Sequence, residues 1–108
     1  MRASMFVFNK KHVIYLPSLV REVLNLNKND TATVSIEEDC IKIQKTDQKR
    51  ENTVKVVLCA KYDEKRQYYA LMLPEELAKK IEEKFGKKFD VTIKFDGCTL
   101  CALYTPLK

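Results

Sequence analysis

The sequence predicts a mostly β fold with two short helices, arranged as two tandem β-hairpin–helix–β-hairpin units. Three observations carry this prediction. First, "VIYLPSLVREVLNLNKND" (13–30) and "ALMLPEELAKKIEEKFGKKFD" (70–90) spell one pattern twice: an apolar strand-like run, a proline, an amphipathic stretch, a break and an acid. Second, each copy continues into an alternating run, "TATVSI" (31–36) and "DVTIKF" (90–95), with the period of two that marks a half-buried strand. Third, a unit of half of these 108 residues would bury too little surface to be stable alone, so the two units should share one core.

The elements follow in order. "MFVFN" precedes "HVIYL" across Lys10-Lys11, a first hairpin. Pro17 then turns strand into helix, since proline suits a first helical turn where its missing N–H is not needed. A helix over about Ser18–Leu24 places Leu19, Val20, Val23 and Leu24 on one face. "NKND" breaks it, with Asn29 able to take a left-handed conformation. In "TATVSI", Ala32, Val34 and Ile36 share a face; "EED" turns and "CIKIQK" returns. Residues 1–46 form the first unit, and the polar stretch 47–53 is a linker.

The second unit, 54–108, repeats this plan. "VKVVLCAKY" and "QYYALML" flank "DEKR"; Pro74 opens a helix over Glu75–Phe85, with Leu77, Ile81 and Phe85 four apart. Glu75 and Glu76 begin that helix and lysines follow, which suits its dipole. "GKK" breaks it, and Val91, Ile93 and Phe95 alternate onto one face of the last hairpin, "DVTIKF–DGC–LCALYT", in the register of Ala32, Val34 and Ile36. The aromatics Phe6, Phe8, Tyr68 and Tyr69 read as strand residues with one face in the core.

A net charge of +5 and a pI near 9.0 favour an anionic partner, nucleic acid first. The charge is spread over both halves, so this is a lightly basic domain rather than a basic tail. No run approaches the roughly 20 apolar residues that span a bilayer, and "MRASMFVFNKKH" is too short in apolar length for a secretion signal. A cytoplasmic location is expected. The lysine-rich, glycine-poor composition points toward a thermophilic source.

Of Cys40, Cys59, Cys98 and Cys101, the last two form "CTLC". At the start of a strand, residues three apart face opposite sides, and no second such pair exists. Core thiols are expected ahead of a structural disulfide, and a disulfide ahead of zinc. His12 reads as a surface or turn residue with no ligand partner. Neither a metal nor a cofactor is expected. The chain offers no nucleophile–base pair, no paired histidines and only two glycines, so an enzyme is not expected.

The first copy, "NKKHVIYLPSLVREVLNLNKNDTATVSIEEDCIKIQK", resembles the swapped-hairpin AbrB (SpoVT–AbrB) DNA-binding domain. Pro17, Val20-Arg21-Glu22, Leu24, Leu26 and Asn29-Asp30 match its pattern over about residues 5–45, with Asn29 where a glycine is usual. The second copy, about 55–105, matches in pattern but weakly in letters, with Ala78 where the first has Arg21. The resemblance implies an intramolecular swapped-hairpin pseudo-dimer barrel, in which one chain supplies both partners of the usual dimer.

It also implies transcriptional regulation through double-stranded DNA, bound by a basic hairpin and helix face. The residues implied are Lys10, Lys11 and Arg21, and, by region only, Lys65, Arg66, Lys79 and Lys80. Lysine and arginine neutralise phosphates and release counterions, although Lys79 and Lys80 can equally pair with Glu75 and Glu76 at i, i+4. The loss of Arg21 at Ala78 implies an asymmetric binding face. Two half-sites a helical turn apart would favour a homodimer of the chain. The alternatives are a protein-interaction module and an antitoxin. The second ranks lower, because such antitoxins hold their toxin with an extended C-terminal tail and this sequence ends at "YTPLK".

Overall fold

The structure, a computed structural model, describes residues 1–46, 53–61, 67–97 and 99–107. The elements are β1 (Arg2–Phe8), β2 (Lys11–Leu16), α1 (Ser18–Val23), β3 (Thr31–Ile36), β4 (Ile41–Lys45), β5 (Thr53–Lys61), β6 (Gln67–Leu73), α2 (Glu75–Phe85), β7 (Lys88–Asp96) and β8 (Thr99–Pro106). Most of the expected linker lies outside the described residues.

The strands close into one antiparallel barrel in the order β1-β2-β6-β5-β3-β4-β8-β7. The β1–β2 hairpin thus lies between β7 and β6, and the β5–β6 hairpin between β2 and β3. Exchanging the two halves (β1 for β5, β2 for β6, β3 for β7, β4 for β8) leaves this circular order unchanged. The registers of the β2–β6 and β4–β8 ladders obey the same exchange. Ile14 pairs with Leu71, and each stands three residues before its own proline, Pro17 or Pro74. Ile43 pairs with Ala102, and each is paired in its own hairpin at an equivalent register position, Val34–Ile43 and Ile93–Ala102, two residues along the strand from the pairs Ile36–Ile41 and Phe95–Leu100. On both seams, therefore, a residue faces its own counterpart.

An eight-stranded barrel is narrow enough for side chains to fill it. Ile14, Leu16, Val34, Ile41, Ile43, Val56, Leu71, Phe89 and Tyr104 do so, all at 1% exposure or less. Val20 from α1 and Ala78 and Ile81 from α2 join the same cluster, so residues of both halves share one core.

Pro17 and Pro74 adopt nearly identical conformations, φ −56°, ψ 146° and φ −58°, ψ 148°. Each is the N-cap rather than the first helical residue, and its carbonyl accepts the first helical hydrogen bond, from Arg21 N at 3.0 Å or Ala78 N at 2.9 Å. The breakers behave as their chemistry suggests. Asn29 is left-handed at φ 72° and Gly86 at φ 88°. Asn29 N donates to Val56 O, and Val56 N to Asp30 O, tying the first break to β5 in the other half.

Four expectations need correction. Leu19 is 51% exposed, because a six-residue helix turns only a narrow face inward and Val20 and Leu24 fill it. Phe95 is 68% exposed, because the β7–β8 hairpin runs past the described β4–β8 pairing, which spans Ala102 to Tyr104 on β8. Phe6 and Phe8 do not line the core; β1 begins earlier than expected, and Ala3 and Met5 take the inward positions. Of the cysteines, Cys101 alone is described as buried; Cys40 and Cys59 are partly exposed, all three are free thiols, and Cys98 lies outside the described residues.

Tyr104 is a neutral anchor. Its Oη donates to the Tyr15 carbonyl at 2.8 Å, and burial, helped by the nearby Tyr15 phenol, pushes its pKa well above the ordinary tyrosine value. Below about pH 10 both folded and unfolded chains keep this proton. Above it the unfolded chain ionises while the folded one cannot, so stability falls as pH rises. Tyr104→Phe is expected to cost about 1 kcal/mol at neutral pH and to make the alkaline decline of the melting temperature shallower. Thermal unfolding followed by circular dichroism across neutral to alkaline pH checks both; an unchanged alkaline decline would show that Tyr104 does not govern it.

Candidate nucleic-acid interface

The β1–β2 turn presents Lys10 and Lys11. Phe8 pairs with Lys11, leaving Asn9 and Lys10 as a two-residue loop with φ 49° and 64°. Such primed turns match the twist of the flanking strands but require left-handed residues, so Asn-Gly is their favoured sequence. A lysine in that conformation costs roughly 1 kcal/mol relative to glycine. The chain therefore carries a strained, exposed cation at this tip.

Register decides what surrounds it. His12 pairs with Leu73, directly before Pro74, so the first hairpin's basic turn lies at the start of the second half's helix. Lys55 on β5 pairs with Met72 and joins the same place. Together Lys10, Lys11, His12, Lys55, Met72, Leu73, Pro74 and Glu75, with Thr53 and Val54, line an open cleft of about 480 Å³. That size falls within the roughly 300–1,000 Å³ typical of ligand clefts. Its carboxylate, Glu75, lies 3.8 Å from Lys79 Nζ, the i, i+4 pair that the sequence allowed. Lys80 is exposed on the same helix.

Arg21 is elsewhere. Leu16 pairs with Tyr69, four residues along β2 from His12, or roughly 13 Å of strand. The Arg21 guanidinium lies over the Tyr69 ring at 4.3 Å, and its buried Nε has no hydrogen-bond partner among the described residues. This is cation–π packing across the two halves. The counterparts in the other half are Ala78, 1% exposed, and His12, so the stacked pair exists once. The structure thus joins Lys10 and Lys11 with Lys55 and the start of α2, but separates them from Arg21. Lys65 and Arg66 lie outside the described residues.

Lys55 escaped sequence reading because it is an ordinary outward lysine in an apolar strand; only pairing across halves brings it to the turn. Burial raises the thiol pKa of both Cys40 and Cys59, with the Glu37 and Asp39 carboxylates adding to the effect at Cys40. Among the described residues no group of three or more His, Cys, Asp or Glu side chains is gathered where a metal ion could be held, and no helix is long and apolar enough to cross a membrane. No protein-family model matches this chain, and neither a curated protein nor a solved structure matches it.

Proposed function

We propose that this chain is a duplex-DNA-binding protein of the transcription-regulator class, with its two halves arranged as an intramolecular swapped-hairpin pseudo-dimer. The arrangement draws support from the circular strand order, which is unchanged when the halves are exchanged, and from the self-counterpart pairs Ile14–Leu71 and Ile43–Ala102. DNA binding rests on one observation above all: a lysine occupies the left-handed turn position where glycine is favoured. Strain of that kind is retained where a side chain is needed. Phosphate neutralisation is the task that an exposed ammonium at a hairpin tip suits.

Fluorescence anisotropy with a labelled random duplex across a salt series tests this reading. Wild type is expected to bind with steep salt dependence. Lys10→Ala/Lys11→Ala is expected to bind more weakly, with the slope of log affinity against log salt reduced by about 2. Arg21 is left intact in this variant, since its removal would also strip packing from Tyr69. No wild-type binding at low salt would sink the proposal. A protein-interaction role has its own support in the β7–β8 tip, where Phe95 is 68% and Leu100 39% exposed.

A further inference from the structure

We infer that the cleft between the β1–β2 turn, the start of β5 and the start of α2 is an oxyanion seat that takes one backbone phosphate of nucleic acid, with Lys55 as a direct contact. The inference rests on the DNA-binding reading and adds to it a located subsite and a residue that the sequence did not single out. Three lysines reach this cleft from two different hairpins, Lys10 and Lys11 from one and Lys55 from the other. All three are exposed, so none is consumed by burial in the fold. His12 adds ring N–H donor capacity. Among the described lining residues one carboxylate, Glu75, stands against these, and it has Lys79 within 3.8 Å. The described lining is therefore net cationic.

The turn conformation supplies a test that separates folding from binding. Lys10→Gly relieves the left-handed strain at φ 64° and removes the charge. It should raise the melting temperature and weaken binding at once, whereas a merely structural Lys10 would show only the first change.

The experiment compares full-length wild type, Lys10→Gly, Lys55→Ala and Lys94→Ala. Lys94, on β7, lies outside the cleft and controls for the loss of one charge. Duplex affinity is read by anisotropy across salt, and inorganic phosphate is titrated separately against each protein while His12 ring signals are followed by NMR. The expected result is a salt slope about 1 smaller for Lys55→Ala than for wild type, with Lys94→Ala unchanged and Lys10→Gly weaker yet more stable. Should wild type bind duplex while Lys55→Ala behaves like Lys94→Ala, the subsite is overturned and the DNA reading survives. Should duplex fail to bind while phosphate shifts His12 in wild type and not in Lys55→Ala, the oxyanion seat stands and nucleic acid is overturned as its source. Silence in both titrations overturns both.

Discussion

Residues 1–46 expressed alone are expected to be unfolded at low concentration, residues 53–108 likewise, and an equimolar mixture is expected to recover the barrel. The reason lies in the strand order. Within the first half, β1 pairs with β2 and β3 with β4, but every other ladder of these strands runs to the second half: β1 to β7, β2 to β6, β3 to β5 and β4 to β8. Isolated two-stranded hairpins are marginal in water, and cutting the halves apart strips four ladders and opens a core built from both. Circular dichroism and amide NMR of each fragment and of the mixture check the outcome. The symmetry sharpens the expectation. Ile14 and Ile43 face their own counterparts, so two copies of 1–46 could pair Ile14 with Ile14 and Ile43 with Ile43. Any folding of that fragment alone must then strengthen with concentration. A cooperative transition of 1–46 that is independent of concentration would show that the interleaved core is not required.

Phe89→Ala is the second large effect, expected to cost about 3–5 kcal/mol. Phe89 is 0% exposed, pairs with Ala3 on one side and Pro106 on the other, and its ring centroid lies 6.1 Å from that of Tyr104 at 60°. Its small neighbour Ala3 leaves room that only a large ring fills, so truncation leaves a cavity with little to collapse into it. Against a typical total stability of about 5–15 kcal/mol, a loss of this size lowers the melting temperature by roughly 10–20 °C. Urea and thermal unfolding of Phe89→Ala beside Phe89→Leu measure it, the leucine variant retaining much of the volume and losing less. A loss below about 1 kcal/mol for the alanine variant would contradict this packing.

The repeat and most of its elements were legible in the letters because their causes are local. Alternation marks a strand whatever it pairs with, and the prolines end strands and start helices through their own fixed φ, which is why Pro17 and Pro74 reach the same conformation in different surroundings. Asn29 and Gly86 were readable as breaks for a similar reason, tolerance of positive φ. The failures were positional. Phe95 alternates correctly, yet alternation does not say where a neighbouring strand stops. Phe6 and Phe8 looked more core-like than Ala3 and Met5, but parity is set by register, and a shift of one residue reverses every side chain.

The candidate site divides along the same line. The letters alone place Lys10 in a hairpin turn, although the turn proves to be Asn9-Lys10 with Lys11 opening β2, and they show that Lys79 can pair with Glu75 and that Arg21 has an alanine for its counterpart. The first two follow from spacing within about four residues, and the third from aligning the two copies on Pro17 and Pro74. Strand pairing is what brings Lys55 to the first turn, sets Arg21 on Tyr69 of the opposite half, and puts the basic turn and Arg21 at different places along one seam. Those are contacts between residues dozens of positions apart, fixed by the ladders β2–β6 and β5–β6. Local sequence sets which strands can form, whereas the closure of all their edges in one barrel sets which of them meet.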